Sequence, residues 1–214
     1  MSHVNADLDF YFDPLCPFAW QTSRWVHQVI DQKGIVVDWR FVSLLYLNEE
    51  KAAKGELPEA YTTAAEASLK LLRVCAAVKA AEGSDATGRL YTAIGEQIWD
   101  KGVSSGEVDV DAALAEADLN ASYADAHDDD SWDALLRSET DRAVSKAGKD
   151  VGTPVITFGP PDGNSFFGPV ISSLPTPAQA VEIYEAVRVL ADFPTFSELK
   201  RTTRPPLDLP ALKG

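Results

Sequence analysis

The sequence predicts an α/β protein in which an all-helical block interrupts a small β-sheet. Three observations lead to this fold class. Residues 8–44 contain a strand pattern, a helix pattern and a second strand pattern in succession. Residues 51–148 show helical periodicity and no convincing strand, and strand character returns at residues 154–158. A sheet that stops, is followed by helices and then resumes indicates one α/β domain with a helical insertion.

The first unit is a strand, a helix and a second strand. Residues 8–12 alternate in the manner of a short inner strand, and residues 35–44 do so again around Val37, Trp39 and Phe41. The helix between them ends at Gly34, which provides a left-handed stop. Because this helix is long enough for a crossover, we expect the two strands to be parallel, with a right-handed connection.

The turn before this helix carries the first candidate for chemistry. Pro14 and Pro17 bracket Leu15 and Cys16, and Pro17 suits the first helical position because a proline there has no amide bond to lose. Cys16 is therefore the predicted N-cap of the helix. The unpaired amides and the positive end of the helix dipole favour a thiolate there, so an exposed Cys16 would be a nucleophile of low pKa. A lone cysteine is more often a small buried hydrophobe, but this context favours a reactive thiol.

The helical block predicts several consecutive helices. The first of them places Leu71, Leu72, Cys75 and Val78 on one face, so we expect Cys75 to belong to the core. Gly102 and Gly148 are the expected ends of later helices. The stretches with helical spacing are residues 61–81, 90–99, 111–117 and 132–143.

After the block, residues 154–158 and 165–170 predict two antiparallel strands joined by turn residues. Thr176, Pro177 and Gln179 form a capping box at the start of a helix, and Thr195 with Glu198 predicts a second, short helix. This order of elements is that of a thioredoxin fold with an inserted all-helical subdomain. We expect the thioredoxin-fold domain to comprise residues 1–48 and 149–214, and the insertion to comprise residues 49–148.

Composition excludes several classes of function. A net charge of −14 argues against nucleic acid or an anionic membrane as a partner. No apolar run is long enough to cross a membrane, and residues 1–7 carry neither a basic nor an apolar signal region. With two cysteines, we expect a cytoplasmic protein. The acidic stretch Asp125–Asp130, with His127, lacks ligand spacing, so we expect no metal site.

Several strings of residues resemble one family. F-D-P-L-C-P-F-A-W at 12–20 resembles the active-site turn of the DsbA-like branch of the thioredoxin superfamily. Together with S-R-W at 23–25 it is similar to the mycothiol-dependent nitroreductase group of actinobacteria. The resemblance extends over nearly the whole chain, through the strings S-L-L-Y-L-N-E at 43–49, L-Y-T-A-I-G at 90–95, V-G-T-P at 151–154, F-F-G-P-V at 166–170 and S-E-L-K-R-T at 197–202.

One position departs from the family pattern. The active turn of the family is C-x-x-C, whereas the fourth position here is Ala19. Residues three apart lie one above the other on a helix, so a methyl group takes the place of a resolving sulfur. A mixed disulfide on Cys16 must then be resolved by an external thiol, which implies a monothiol cycle.

The resemblance also implies the other side of the site. The equivalent proline of the superfamily is cis and faces the nucleophile, which implies a cis Thr153–Pro154 bond beside Cys16. Phe18 is a candidate wall for an aromatic substrate, and Asn48 a candidate ligand of the thiol. His27, eleven residues after Cys16, lies about 16 Å further along the helix axis and is too far to act as its base. The residues expected to bind substrate are Pro17, Phe18, Ala19, Trp20, Asn48, Thr153 and Pro154.

The leading hypothesis is a thiol-dependent oxidoreductase or thiol transferase. Cys16 attacks a disulfide or another electrophile, and a low-molecular-weight thiol, which the resemblance suggests is mycothiol, completes the turnover. Two alternatives stay open. One is an enzyme like the kappa-type glutathione transferases or chromene-carboxylate isomerases, in which the thiol is bound noncovalently. The other is a module that binds a thiol or peptide without turnover. The oligomeric state, including a homodimer, is also open.

Overall fold

A four-stranded sheet carries the site, within a computed structural model that describes residues 6–148 and 152–213. The strand order is β2-β1-β3-β4. β1 pairs in parallel with β2 and antiparallel with β3, which pairs antiparallel with β4. This topology is that of the predicted thioredoxin fold. The strands are β1 (Leu8–Phe12), β2 (Val37–Phe41), β3 (Val155–Phe158) and β4 (Ser165–Phe167).

Helices make up the regular structure between β2 and β3, within the part of the chain that is described. A π-helical turn, Glu96–Asp100, continues the fifth helix, and short 3-10 turns lie at Ser105–Glu107, Ala121–Asp128, Asp130–Trp132 and Pro210–Leu212. None of the described helices has the length and apolar character needed to cross a membrane. The α-helices are α1 (Pro17–Lys33), α2 (Leu44–Leu47), α3 (Glu49–Ala53), α4 (Glu59–Glu82), α5 (Ser84–Gly95), α6 (Val110–Glu116), α7 (Asp133–Ala147) and α8 (Pro177–Asp192).

Local signals explain where two helices begin and end. Cys16 is the N-cap of α1 and Pro17 its first residue, as predicted. At the other end Gly34 has φ of +66° and donates its N–H to the Ile30 carbonyl at 2.8 Å, which closes the helix. α8 begins at the predicted capping box, where the side chains of Thr176 and Gln179 each bond the backbone of the other.

The sheet and the helical block share one hydrophobic core. Phe12 of β1 stacks on Tyr91 of α5, with ring centroids 3.9 Å apart. Trp20 of α1 meets the same Tyr91 edge-on at 5.9 Å. Buried aromatic side chains remove large apolar areas from water, so these contacts hold the insertion against β1 and α1. The predicted division at residue 149 lies outside the described residues, and the separate domains stay a prediction.

Two predicted strands are shorter in the structure, and one predicted helix differs. β4 spans Ser165–Phe167 rather than residues 165–170. The second strand spans Val37–Phe41 rather than residues 35–44. The short helix at Thr195–Glu198 is wrong: the chain makes a turn there, closed by the Phe196 N–H on the Phe193 carbonyl at 3.0 Å. The ring of Phe196 packs 5.7 Å from that of Phe166. This tertiary contact outweighs the weak local preference of one capping pair, because so short a helix gains few hydrogen bonds.

Replacing Gly95 by alanine is expected to destabilise the protein. A Cβ at Gly95 would overlap the buried ring of Trp20. Alanine gains about 1 kcal/mol of helix propensity, but overpacking a core costs about 1–3 kcal/mol and here displaces a rigid ring. We expect a lower free energy of unfolding in urea. Gly106→Ala is the control, since its Cβ would meet only the Ala67 methyl at 3.8 Å. Equal stability of the two variants would contradict the role of Gly95.

Candidate functional site

The site lies where β1 ends and α1 begins. The N–H of Cys16 donates to the Asp13 carbonyl at 3.0 Å, which closes the turn. The Sγ of Cys16 accepts the Ala19 N–H at 3.4 Å and donates to the Thr153 carbonyl at 3.3 Å. The sulfur thus lies between the first turn of α1 and the segment that leads into β3.

The Thr153–Pro154 segment faces the cysteine. Its peptide bond is cis. Thr153 is 4% exposed, and its hydroxyl donates to the Tyr11 carbonyl of β1 at 3.4 Å. This bond holds the Thr153 carbonyl towards Cys16, so two segments 137 residues apart in sequence meet at the sulfur.

Cys16 is buried, with 7% of its surface exposed. Burial raises the pKa of its thiol to about 12, and the Asp13 charge also acts to raise it. The N–H groups of Ala19 and Phe18 act in the opposite direction and lower the pKa. The expectation of a low pKa was made for an exposed cysteine. In this arrangement the condition is not met, because the cost of desolvating a thiolate exceeds the stabilisation by the helix terminus.

Asp13 is a residue of the site that sequence reasoning missed. Its carboxylate is buried and accepts the Leu15 N–H at 2.9 Å, the Leu44 N–H at 2.7 Å and the Ser68 hydroxyl. Burial raises the pKa of this carboxyl, and the three hydrogen bonds lower it. The side chain therefore fixes the turn of Cys16 to α2 and α4, and only its position directly before Pro14 could have indicated a turn role.

Asn48 lies between α2 and α3 and contacts a tyrosine that the sequence analysis did not select. Its Nδ2 donates to the Leu44 carbonyl and to the Tyr61 hydroxyl, both at 3.0 Å. Burial raises the pKa of Tyr61, and the charges of Asp13 and Cys16 raise it further, which places Tyr61 on the Cys16 side of the block. No short-range pattern links positions 48 and 61, so only the fold brings them together.

The structure separates the other predicted residues into two groups. Pro17 and Phe18 are half-buried beside Cys16. Ala19 and Trp20 are buried in the core, where Trp20 also carries the Arg24 guanidinium 3.9 Å above its ring. The geometry therefore places Pro17 and Phe18 where a substrate could contact them, and it does not do so for Ala19 and Trp20.

His27 is remote from the cysteine and lines a different groove. Its ring stacks on Trp39 at 5.2 Å, in a cavity of about 440 Å³ bordered by Glu96 and Glu116. Burial lowers the pKa of His27 to about 4, so it is neutral at pH 7. Over residues 6–148 and 152–213, no group of three or more His, Cys, Asp or Glu side chains could hold a metal ion.

Comparison with known proteins gives a family for the chain. The family model described as "Rv2466c-like: Mycothiol-dependent nitroreductase Rv2466c" matches residues 15–201. A curated relative is the uncharacterized protein Rv2286c of Mycobacterium tuberculosis (strain ATCC 25618 / H37Rv). It is 32% identical over 200 residues, covering 92% of this chain and 83% of that protein.

Solved structures share the fold at low sequence identity. The cytosolic disulfide reductase DsbM from Pseudomonas aeruginosa has a TM-score of 0.56 and 19% identity, covering 86% of this chain and 99% of that chain. The same reductase in complex with GSH has a TM-score of 0.57 and 16% identity, covering 84% of this chain and 98% of that chain. A 2-hydroxychromene-2-carboxylate isomerase has a TM-score of 0.56 and 13% identity, covering 86% of this chain and 95% of that chain. These neighbours confirm the predicted DsbA-like fold.

The reactivity of Cys16 is expected to rise steeply with pH. Only the thiolate is alkylated, and burial raises the pKa of Cys16 to about 12. The rate with iodoacetamide, followed by peptide mapping, should rise about tenfold per pH unit from about pH 7 to about pH 10, whereas a free cysteine levels off above its pKa of about 8.5. If the rate levels off at a lower pH than it does for free cysteine, the helix terminus outweighs burial.

Replacing Asp13 by asparagine is expected to weaken the fold and to increase the acidity of Cys16. The amide can accept fewer of the hydrogen bonds from Leu15, Ser68 and Leu44, and each unsatisfied buried group costs about 1–3 kcal/mol. Removing the negative charge also lowers the pKa of Cys16. Urea unfolding and the alkylation profile measure the two effects. Asp85→Asn, at an exposed position of α5, is the control, and an equal shift there would contradict the proposal.

Proposed function

The chain belongs to the Rv2466c-like family of mycothiol-dependent nitroreductases, and from this premise we propose a thiol-dependent oxidoreductase or thiol transferase in which Cys16 is the nucleophile. One observation carries the proposal. The Cys16 sulfur lies between the Ala19 N–H of α1 and the Thr153 carbonyl next to cis-Pro154. A helix-terminal amide can stabilise the charge of a nucleophile, and an adjacent backbone segment can position a substrate.

The contacts of Cys16 influence its charge in opposite directions. Burial and the hydrogen bond to the Thr153 carbonyl favour the thiol, while the Ala19 and Phe18 amides favour the thiolate. A substrate that enters beside Phe18 and displaces the hydrogen bond to Thr153 removes one of the two effects that favour the thiol. Burial still favours the thiol, so the displacement increases the thiolate fraction without making the thiolate the main form.

The chemistry is two thiol–disulfide exchanges. The Cys16 thiolate attacks one sulfur of a disulfide substrate, so that a new S–S bond forms on Cys16 and the other half leaves as a thiolate. A second, external thiolate then attacks the mixed disulfide and releases Cys16. No net electrons pass to the protein. The proton of the Cys16 thiol ends on the leaving thiolate of the first step, and the proton of the external thiol ends on Cys16 at release. Because Ala19 carries no sulfur, the attacking thiolate of the second step comes from outside.

The residues near Cys16 fit a polar thiol as co-substrate. The Asn48 Nδ2 already uses its hydrogens on Leu44 and Tyr61, whereas its Oδ1 accepts no hydrogen bond from the described residues. The Tyr61 hydroxyl accepts from Asn48 and can still donate. A hydroxyl-rich thiol such as mycothiol could bond both groups. The family match supports this choice of thiol, and a cytoplasmic location remains a prediction from the sequence.

A noncovalent role is the second candidate function. The raised pKa of Cys16 and its hydrogen bond to Thr153 favour a neutral thiol, which could orient a bound thiol without bonding to it. In that case a serine at position 16, which also donates a hydrogen bond, would retain binding and isomerisation of a substrate. The two candidates therefore differ in what Cys16→Ser does.

Exposure to oxidised mycothiol or oxidised glutathione tests the covalent cycle. Intact mass spectrometry should detect one thiol-sized adduct, mapped to Cys16 and released by added thiol, because no neighbouring sulfur can displace it. Cys16→Ser should form no adduct. An unmodified wild-type protein under the same conditions would count against the covalent cycle and leave the noncovalent one.

Ala19→Cys should change the fate of the adduct. A cysteine three residues after Cys16 lies over it on the helix and can displace the bound thiol. We expect an internal disulfide, with the mass of the protein minus two hydrogens, in place of the adduct. Ala19→Ser, of nearly the same volume, is the control and should keep the adduct. If Ala19→Cys retains its adduct as well, the absence of a resolving sulfur is not what preserves it.

A further inference from the structure

The C-terminal strap, defined here as residues 202–213, lies against the site. The Asp208 N–H donates to the Ser172 carbonyl at 2.8 Å, and Leu209 is 3% exposed. The 3-10 turn Pro210–Leu212 packs on the π-helical turn Glu96–Asp100. Trp99 in that turn donates its indole N–H to the Pro14 carbonyl at 2.9 Å. The strap is thus fixed to the element that also holds the turn of Cys16.

The strap places a cation beside the ring of Phe18. The Arg204 Cζ lies 5.3 Å from the centroid of the Phe18 ring, within the range of a cation–π contact. Phe18 follows Cys16 by two residues, and its backbone N–H acts on the sulfur. The guanidinium therefore borders a half-buried ring whose backbone lies in the first turn after Cys16.

Within the described part of the chain, the N–H donors of Arg204 have no hydrogen-bond partner. Among residues 6–148 and 152–213, Arg204 makes no salt bridge and donates no hydrogen bond, although an arginine has five N–H donors. By contrast, Arg73 forms a forked pair with Asp133. Contact with an aromatic ring holds the position of Arg204 without neutralising its charge, so the charge is available to a ligand.

The sign of the charge selects the ligand. The chain carries a net charge of −14, which repels anions from its surface as a whole. A local cation at the approach to the thiol offsets that repulsion for an anionic substrate and gives no advantage to a neutral one. Carboxylate and sulfonate groups each present two oxygens that can accept from the fork of a guanidinium.

We propose that Arg204 binds the anionic group of the substrate, so that the electrophiles or disulfides attacked by Cys16 carry a carboxylate or sulfonate. The inference rests on the proposed function, because it names the substrate class of the same site. Residue 204 follows the matched family region, 15–201, so the selectivity belongs to the strap rather than to the matched region. In the exchange, Cys16 forms the new S–S bond while the anionic half stays on Arg204 or leaves as the thiolate.

Two alkylating agents of similar size and different charge test this proposal. Iodoacetate is anionic and iodoacetamide neutral. With either, an S–C bond forms on Cys16, iodide leaves with the electron pair of the C–I bond, and the thiol proton passes to the buffer. The rate ratio of iodoacetate to iodoacetamide at Cys16, normalised to that of N-acetylcysteine, reports the local charge. A change in the pKa of Cys16 alters both rates equally and cancels.

The expected result for the wild-type protein is a normalised ratio above that of the free thiol. The ratio should fall about threefold to tenfold in Arg204→Gln, and high salt should lower the wild-type ratio towards that of the variant. Arg204→Lys should keep most of the ratio, since it keeps the charge. Arg201→Gln, which removes an exposed charge three residues earlier, is the matched control and should leave the ratio unchanged.

One result would overturn the inference alone, an unchanged ratio in Arg204→Gln. If the ratio is unchanged because both rates rise equally, Arg204 is a steric cover for Cys16. Cys16→Ser gives the background of the mapping. If Cys16 reacts with neither reagent at any pH, the proposed function fails, and this inference fails with it.

Discussion

The hydrogen bonds of the Asp13 carboxylate are the constraint on which the site depends. One side chain accepts from an amide within the turn, from the amide that begins α2 and from a hydroxyl of α4. Without it, the Leu44 amide would lose its partner, the Leu15 amide would keep only the Ser68 hydroxyl at 3.2 Å, and the helical block would lose one of its polar links to the turn of Cys16. The thioredoxin-fold sheet and its insertion therefore share a hydrogen-bonded centre as well as an apolar core.

Two opposing effects act on the pKa of the buried Cys16 thiol. The helix terminus stabilises negative charge over a few ångströms, whereas desolvation acts on the whole group and here is the larger effect. Cys16 is therefore not a permanently ionised thiol. Near it, Arg204 of the strap contacts the ring of the half-buried Phe18.

Local sequence predicted those features whose partners are near in the chain. Cys16 and Pro17 specify the start of α1, and Thr176 with Gln179 specifies that of α8, because caps bond within one turn. The partners of Asp13, 31 and 55 residues away, and the contact of Arg204 with Phe18 depend on the completed fold. The same reason explains the false helix near Thr195, where Phe166 holds Phe196, and the unexpected burial of Cys16.

The alanine at position 19 affects the covalent state of the protein after Cys16 is oxidised. The chain has one other cysteine, Cys75, which lies in the core of α4 with no exposed surface. A two-cysteine turn ends oxidation in a closed ring that is identical in every molecule. Here a disulfide formed by Cys16 with a small thiol keeps that partner attached, so each oxidised molecule bears the identity of the last thiol it met. A population isolated from cells would be a chemical sample of the thiols around it.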